Sequence, residues 1–186
     1  MTGANLNERS IADILDQGSR QTEREAITHL EDAILLVTRR VRMSLWRIPG
    51  DDTENYYKDL DALWHDIHQI FVTILSLPSV PVAVQLLLNL TSDILTDYIP
   101  SFFPALRQHP PRALPEQESA QIQHALRELD LAWTHILRKM ASTASISVTD
   151  RVRVENVLMD VQERAREWGV EPPSKALAAI RQPESG

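Results

Sequence analysis

Between Leu63 and Ile70 the chain reads LWHDIHQI, which sets two imidazoles three residues apart, with Asp61 one turn before the first. On a helix Asp61, His65 and His68 stand at i, i+4 and i+7 and share one face. Two imidazoles and a carboxylate on one face are a start on a transition-metal site, or an acid/base pair for moving a proton. A metal centre needs at least one further ligand, and no stretch of the chain identifies it. The Glu-x-x-His pairs of di-iron bundles and the His-Glu-x-x-His of zincins are both absent. A helical wheel supplies the competing reading. With Leu60 at zero, Leu60, Leu63, Trp64, Ile67, Ile70, Phe71 and Ile74 centre near ~340°, while Asp61, His65 and His68 fall between roughly 80° and 140°. The three polar residues therefore lie beside the apolar stripe, and a solvated flank is expected there. No catalytic residue, cofactor or bound metal is assigned.

Other chemistries lack their parts. The chain has no cysteine, which removes thiolate nucleophiles, disulfides, iron–sulfur clusters and Cys-ligated zinc. Its five glycines, Gly3, Gly18, Gly50, Gly169 and Gly186, are scattered, so no loop is built to cradle phosphate. No Gly-x-Ser-x-Gly elbow singles out a serine. His124 and His135 share a face but sit three turns apart, too far to cooperate. The expectation is a protein that is not an enzyme.

Two stretches are candidates for contact with other molecules. TRRVRMSLWR holds Arg39, Arg40, Arg42 and Arg47 around Trp46 and contains no acid. Such a patch suits nucleic acid, and the four arginines are a possible charged contact, yet Asp51 to Asp66 carry six acids against Lys58 directly across the Pro49-Gly50 turn. Pairing between the two is expected to occupy these arginines. A net charge of −7 further disfavours nucleic acid as a partner. The second stretch, YIPSFFPALRQHPP, concentrates Tyr98, Ile99, Phe102, Phe103 and Leu106 beside prolines. Aromatic anchors on a stiff backbone make good interface material, and these five residues are the expected protein-binding segment. The alternative is that they fold back and lid one end of the molecule.

The elements that must position these residues are helical. Apolar spacing of three and four recurs from end to end, and no strand-like alternation appears. An opening helix is predicted over Asn7 to Gln17, interrupted at Gly18-Ser19 and restarted by a Thr22/Glu25 capping box. Ile27, Leu30, Ile34, Val37, Val41, Leu45 and Ile48 then form one long stripe that ends at Pro49-Gly50. Asp51, Asp52 and Thr53 offer caps for a second long helix ending before Pro78. Val80 to Ile99 is apolar nearly all round through Leu90 and is expected at the centre. Residues 104–115 form a proline-stiffened connection. A one-sided stripe from Ile122 to Met140 defines the helix Glu116 to Ala141. Another helix spans Thr149 to Trp168, with Gly169 placed to stop it. A short helix after Pro172-Pro173 ends near Arg181, and residues 183–186 are expected to fray.

At 186 residues the chain can bury a core of its own. The expected fold is all-α: a single domain over residues 1–182, an antiparallel bundle of about five long helices plus short ones, with a short α-solenoid of hairpins as the alternative. The longest apolar run, Val80 to Leu90, is too short to span a bilayer. No secretory or mitochondrial leader is visible, so a cytoplasmic or nuclear location is expected. The function expected by elimination is a protein–protein interaction module, a subunit or adaptor of a larger assembly. A small-molecule-binding or regulatory bundle, with a pocket near Trp64, Trp133 or Trp168, is the alternative, and a metal-dependent enzyme comes third. The Ile27 to Ile48 stripe also fits a coiled coil with another copy of the chain. Ser44 interrupts its seam, however, so internal packing is expected, with self-association left open.

Overall fold

Apolar residues recurring every three or four positions carry most of the described residues into helices that hide those positions from water. The computed structural model describes residues 11–45, 56–108, 114–143 and 147–181, with the side chains of the first helix described from residue 21 onward. The helices are α1 (Ile11–Leu45), α2 (Leu60–Ser76), α3 (Val80–Asp93), α4 (Ile99–Phe102), α5 (Glu116–Thr143), α6 (Val148–Glu167) and α7 (Lys175–Arg181). A π-helical turn, Ile94–Tyr98, joins α3 to α4, and a 3-10 turn, Pro104–Arg107, follows. There is no strand among the described residues, and the protein is an all-α helical bundle.

One contiguous apolar core reaches from Leu30 in α1 to Ile180 in α7. α1 lies against α2 and α4; α3 is enclosed by α2, α5 and α6; α7 packs on both α5 and α6. The greasy third helix thus takes the inner position that its sequence requires. The expected stripe of α5 is buried as a set, from Ile122 through Met140. Its buried arc is wider than the sequence predicts, because Ala125 and Ala132 on one side, and Asp130 and Thr134 on the other, are covered too. Neighbours on both flanks account for this: α2 and α3 together with α7.

Several boundaries differ from the sequence expectation, each for a local reason. α1 runs unbroken through Gly18-Ser19. A glycine costs a helix interior only about 1 kcal/mol relative to alanine, too little to divide a long cooperative helix. α2 begins at Leu60 rather than near Asp51, because Asp59 caps it: its Oδ1 accepts from the Ala62 N–H at 2.8 Å. Ahead of that cap, Tyr56 and Tyr57 are buried in non-helical backbone. Ser44, the polar residue in the α1 seam, holds this entry. Its Oγ accepts from the Tyr57 N–H at 2.9 Å, donates to the Arg40 carbonyl at 2.8 Å, and lies 3.2 Å from the Tyr57 carbonyl. Trp46 to Thr53, His109 to Ala113 and the tail 183–186 lie outside the described residues, and so do the Pro49-Gly50 turn and the Asp51 to Thr53 caps.

Pro100 does not end the third helix. Having no N–H, and crowding the preceding turn, it cannot be accommodated by a regular α-helical ladder. The chain widens into the π turn instead, with the Ile99 N–H bonding to the Ile94 carbonyl, and continues as α4. α6 ends as expected at Gly169, whose φ is 70°. The Gly169 N–H bonds to the Arg166 carbonyl and the Val170 N–H to the Ala165 carbonyl, the two bonds of a Schellman cap.

Candidate functional site

The segment expected to contact a partner is largely spent inside the molecule. Tyr98, Ile99, Phe103 and Leu106 are buried in the core and only Phe102 stays partly accessible. The π turn carries the chain past Pro100 into α4, which packs on α1. The Tyr98 hydroxyl and the Thr38 hydroxyl hydrogen-bond at 2.7 Å, tying the π turn to α1. The segment lids the bundle, which is the alternative the sequence offered.

Asp61, His65 and His68 lie on the expected water-facing flank of α2, all three exposed. What the sequence does not reveal is their neighbour, α5. Gln121 donates to the Asp61 carboxylate at 2.9 Å, and His68 Nδ1 stands 3.2 Å from Glu128 Oε2. The same Glu128 oxygen accepts from the Trp64 indole N–H at 2.8 Å, and His124 Nε2 lies 3.9 Å from the other oxygen. Glu128 is thus a carboxylate from a second helix meeting His68, but at the open surface, where both imidazoles are more than half exposed. His65 does not join them in any hydrogen bond or ion pair. Among the described residues no three His, Asp or Glu side chains gather closely enough to hold a metal ion. The arrangement fastens α2 to α5.

The arginine patch divides. Arg40 pairs with Asp66 at 3.2 Å, as charge pairing between the two stretches predicts, and its guanidinium sits 5.8 Å over the Tyr57 ring. The Tyr57 hydroxyl donates to the same Asp66 oxygen at 2.7 Å. Arg42 faces Asp93 and Tyr98 from the exposed side of α1. Arg47 is outside the described residues. Arg39 is exposed and makes no ion pair among them.

Burial and the hydrogen bond to Asp66 push the Tyr57 phenol above its ordinary value of 10.0. The folded state therefore holds this proton more tightly than the unfolded chain does, so the contribution is intact below pH ~10 and lost as pH rises beyond it. Tyr98 shifts the same way, chiefly by burial. The urea midpoint is expected to fall above pH ~10, and less steeply in Tyr57→Phe. Equal alkaline slopes for the two proteins would contradict this assignment.

Trp133 is fully buried, its indole N–H donating to Thr91 Oγ1 at 3.0 Å. The void beside it, between α5, α6 and α7, measures about 10 Å3, room for no more than a water. A void of that size holds no metabolite-sized ligand beside Trp133. An open groove of about 380 Å3 runs between α1 and α2. Ala33, Leu36 and Val37 form its α1 wall, Gln69, Ile70 and Thr73 its α2 wall, and the Arg40–Asp66 pair closes one end.

Beside this groove α1 exposes large apolar side chains. Leu35 is 68% exposed, Leu36 49% and Met43 47%, in a helix whose core positions Leu30, Val37 and Val41 are almost sealed. α6 also shows exposed Val148, Val152 and Met159, but its charged neighbours are engaged within the chain, Arg153 with Asp150 and Glu155 with Arg181. The charges bordering Leu35 and Leu36 are not so engaged: Glu31, Asp32 and Arg39 make no ion pair among the described residues. Sequence periodicity passes over this face, because attention falls on the core stripe. The signal was nonetheless present, as two adjacent leucines standing off that stripe. No helix among the described residues is long and apolar enough to cross a membrane. No protein-family model, curated protein or solved structure matches the chain.

Proposed function

We propose that this chain is a protein–protein interaction module, acting through binding rather than catalysis, as a subunit or adaptor of a larger assembly. Its docking surface is the outer face of α1 together with the groove along α2, and the occupant is an amphipathic helix of the partner. The observation that carries this reading is the exposed apolar set Leu35, Leu36 and Met43 beside a groove of about 380 Å3. Exposed leucines next to a furrow between two helices are what a helix laid into a groove would cover. Uncommitted charges at the rim supply orientation and partner choice more than affinity.

Affinity capture with the wild type and with Leu35→Glu/Leu36→Glu tests the surface itself. Both substitutions are at exposed positions, so thermal stability is expected to change little. Proteins retained by the wild type are expected to be lost from the variant. Identical recoveries from the two baits would remove α1 from the proposal.

A further inference from the structure

We infer that the helix accepted by this surface is α1 of a second copy of the same chain, packed antiparallel about a two-fold axis between Leu35 and Leu36. The inference rests on α1 being the docking surface and adds the identity of its occupant. Its basis is the order of charge along the helix. From Gln21 to Asp32 α1 carries Glu23, Glu25, Glu31 and Asp32 against Arg24 alone; from Ala33 to Leu45 it carries Arg39, Arg40 and Arg42 and no acid. The acidic half precedes the basic half, and the two exposed leucines mark the boundary between them.

A helix with that order complements itself only when reversed. Under a two-fold axis midway between Leu35 and Leu36, Leu35 meets the second copy's Leu36, Asp32 meets its Arg39, and Thr28 meets its Met43. At 100° per residue these six positions fall within an arc of about 100°, so one face of the helix presents all of them together. It is also the face that the bundle leaves uncovered. Thr28, Asp32, Leu35, Leu36, Arg39 and Met43 are all exposed. Asp32 and Arg39, the residues brought together twice by the symmetry, lack ion-pair partners within the described chain. A parallel arrangement would set acid against acid and arginine against arginine. An isologous contact of this kind closes after two copies and does not grow into a filament.

The face used is not the Ile27 to Ile48 stripe, whose described positions pack into the molecule's own core or against it, Leu45 excepted. The leucines and Met43 supply the apolar burial, while the exposed ion pairs fix direction and register and add little strength.

Sedimentation equilibrium of the purified full chain, over a wide concentration range, reads the proposal directly. A monomer–dimer equilibrium is expected, with Leu35→Glu/Leu36→Glu raising the dissociation constant at least tenfold. Asp32→Arg and Arg39→Asp are each expected to weaken the dimer, because each sets like charges opposite one another. Mixed in equal amounts, the two single variants restore both ion pairs and are expected to recover a heterodimer near wild-type affinity. Recovery on mixing is an outcome that simple loss of folding would not produce. A chain that stays monomeric at the highest concentration overturns the proposal, as does a dimer indifferent to the charge reversals. If the chain is monomeric yet still captures a different protein through Leu35 and Leu36, the second-copy assignment falls and the interaction module stands. If neither is seen, both fall.

Discussion

Asp130→Ala is expected to release α7 from the bundle and to cost about 3 kcal/mol, since hydrogen bonds to a charged group contribute roughly 1.5–3 kcal/mol each. Asp130 is buried on α5, and its carboxylate accepts from the backbone N–H groups of Lys175 at 3.2 Å and Ala176 at 2.9 Å. Those are first-turn donors of α7 with no partner inside their own helix. The carboxylate therefore does the work of an N-cap from a distant helix. α7 is only seven residues long, below the length at which a helix holds itself together. Its Ala176, Leu177 and Ile180 are buried in the core, so losing α7 would expose all three. Urea unfolding is expected to show the loss in the midpoint, and limited proteolysis to cut the variant near Lys175. Asp130→Asn, which keeps one acceptor oxygen, is expected to recover part of the stability. An alanine variant with a wild-type midpoint would show that apolar packing alone seats α7.

The largest single loss is expected from Trp133→Ala, about 4 kcal/mol, in the range for aromatic deletions in a core. In a chain of this size that corresponds to a fall in Tm of roughly 10 °C. Two contributions combine. The indole is the largest fully buried side chain among the described residues, and the neighbouring void of about 10 Å3 shows how closely the surroundings already fit. Its removal also strands Thr91, which otherwise accepts from the indole while donating to the Leu87 carbonyl at 2.7 Å. Thr91→Val separates the two effects: it preserves the shape, leaves the indole N–H without a partner, and is expected to cost about 1–3 kcal/mol. Calorimetry of the two variants checks both values. A Thr91→Val protein as stable as the wild type would show that packing carries the whole effect.

The stripes of α2 and α5 were legible residue by residue. Leu60 to Ile74 and Ile122 to Met140 are buried in the pattern that their spacing dictates. The solvent-facing placement of Asp61, His65 and His68 followed from the same wheel. Element ends were less legible, because several potential breakers compete. Gly18-Ser19 is overridden by the helix around it, Pro100 is absorbed by a π turn, and Asp59 caps α2 well after Asp51. Of the five residues expected at an interface, Tyr98, Ile99, Phe103 and Leu106 are buried in the core. Composition marks that segment as adhesive, but whether it adheres to a partner or to its own bundle depends on which elements pack against it.

Local order, then, belongs to the sequence: all-helical structure, the identity of the buried faces, the glycine stop at Gly169 and the solvated histidine flank. Apolar burial is non-directional and repeats along the chain, so one strand of residues suffices to declare it. Only the tertiary structure decided which polar groups meet. Glu128 beneath His68, Asp130 capping α7, Ser44 fastening Tyr57 and the uncovered leucines of α1 each depend on two elements arriving in a particular register. Hydrogen bonds and ion pairs reward angstroms and angles across elements far apart in the chain, and no periodicity within one helix encodes them.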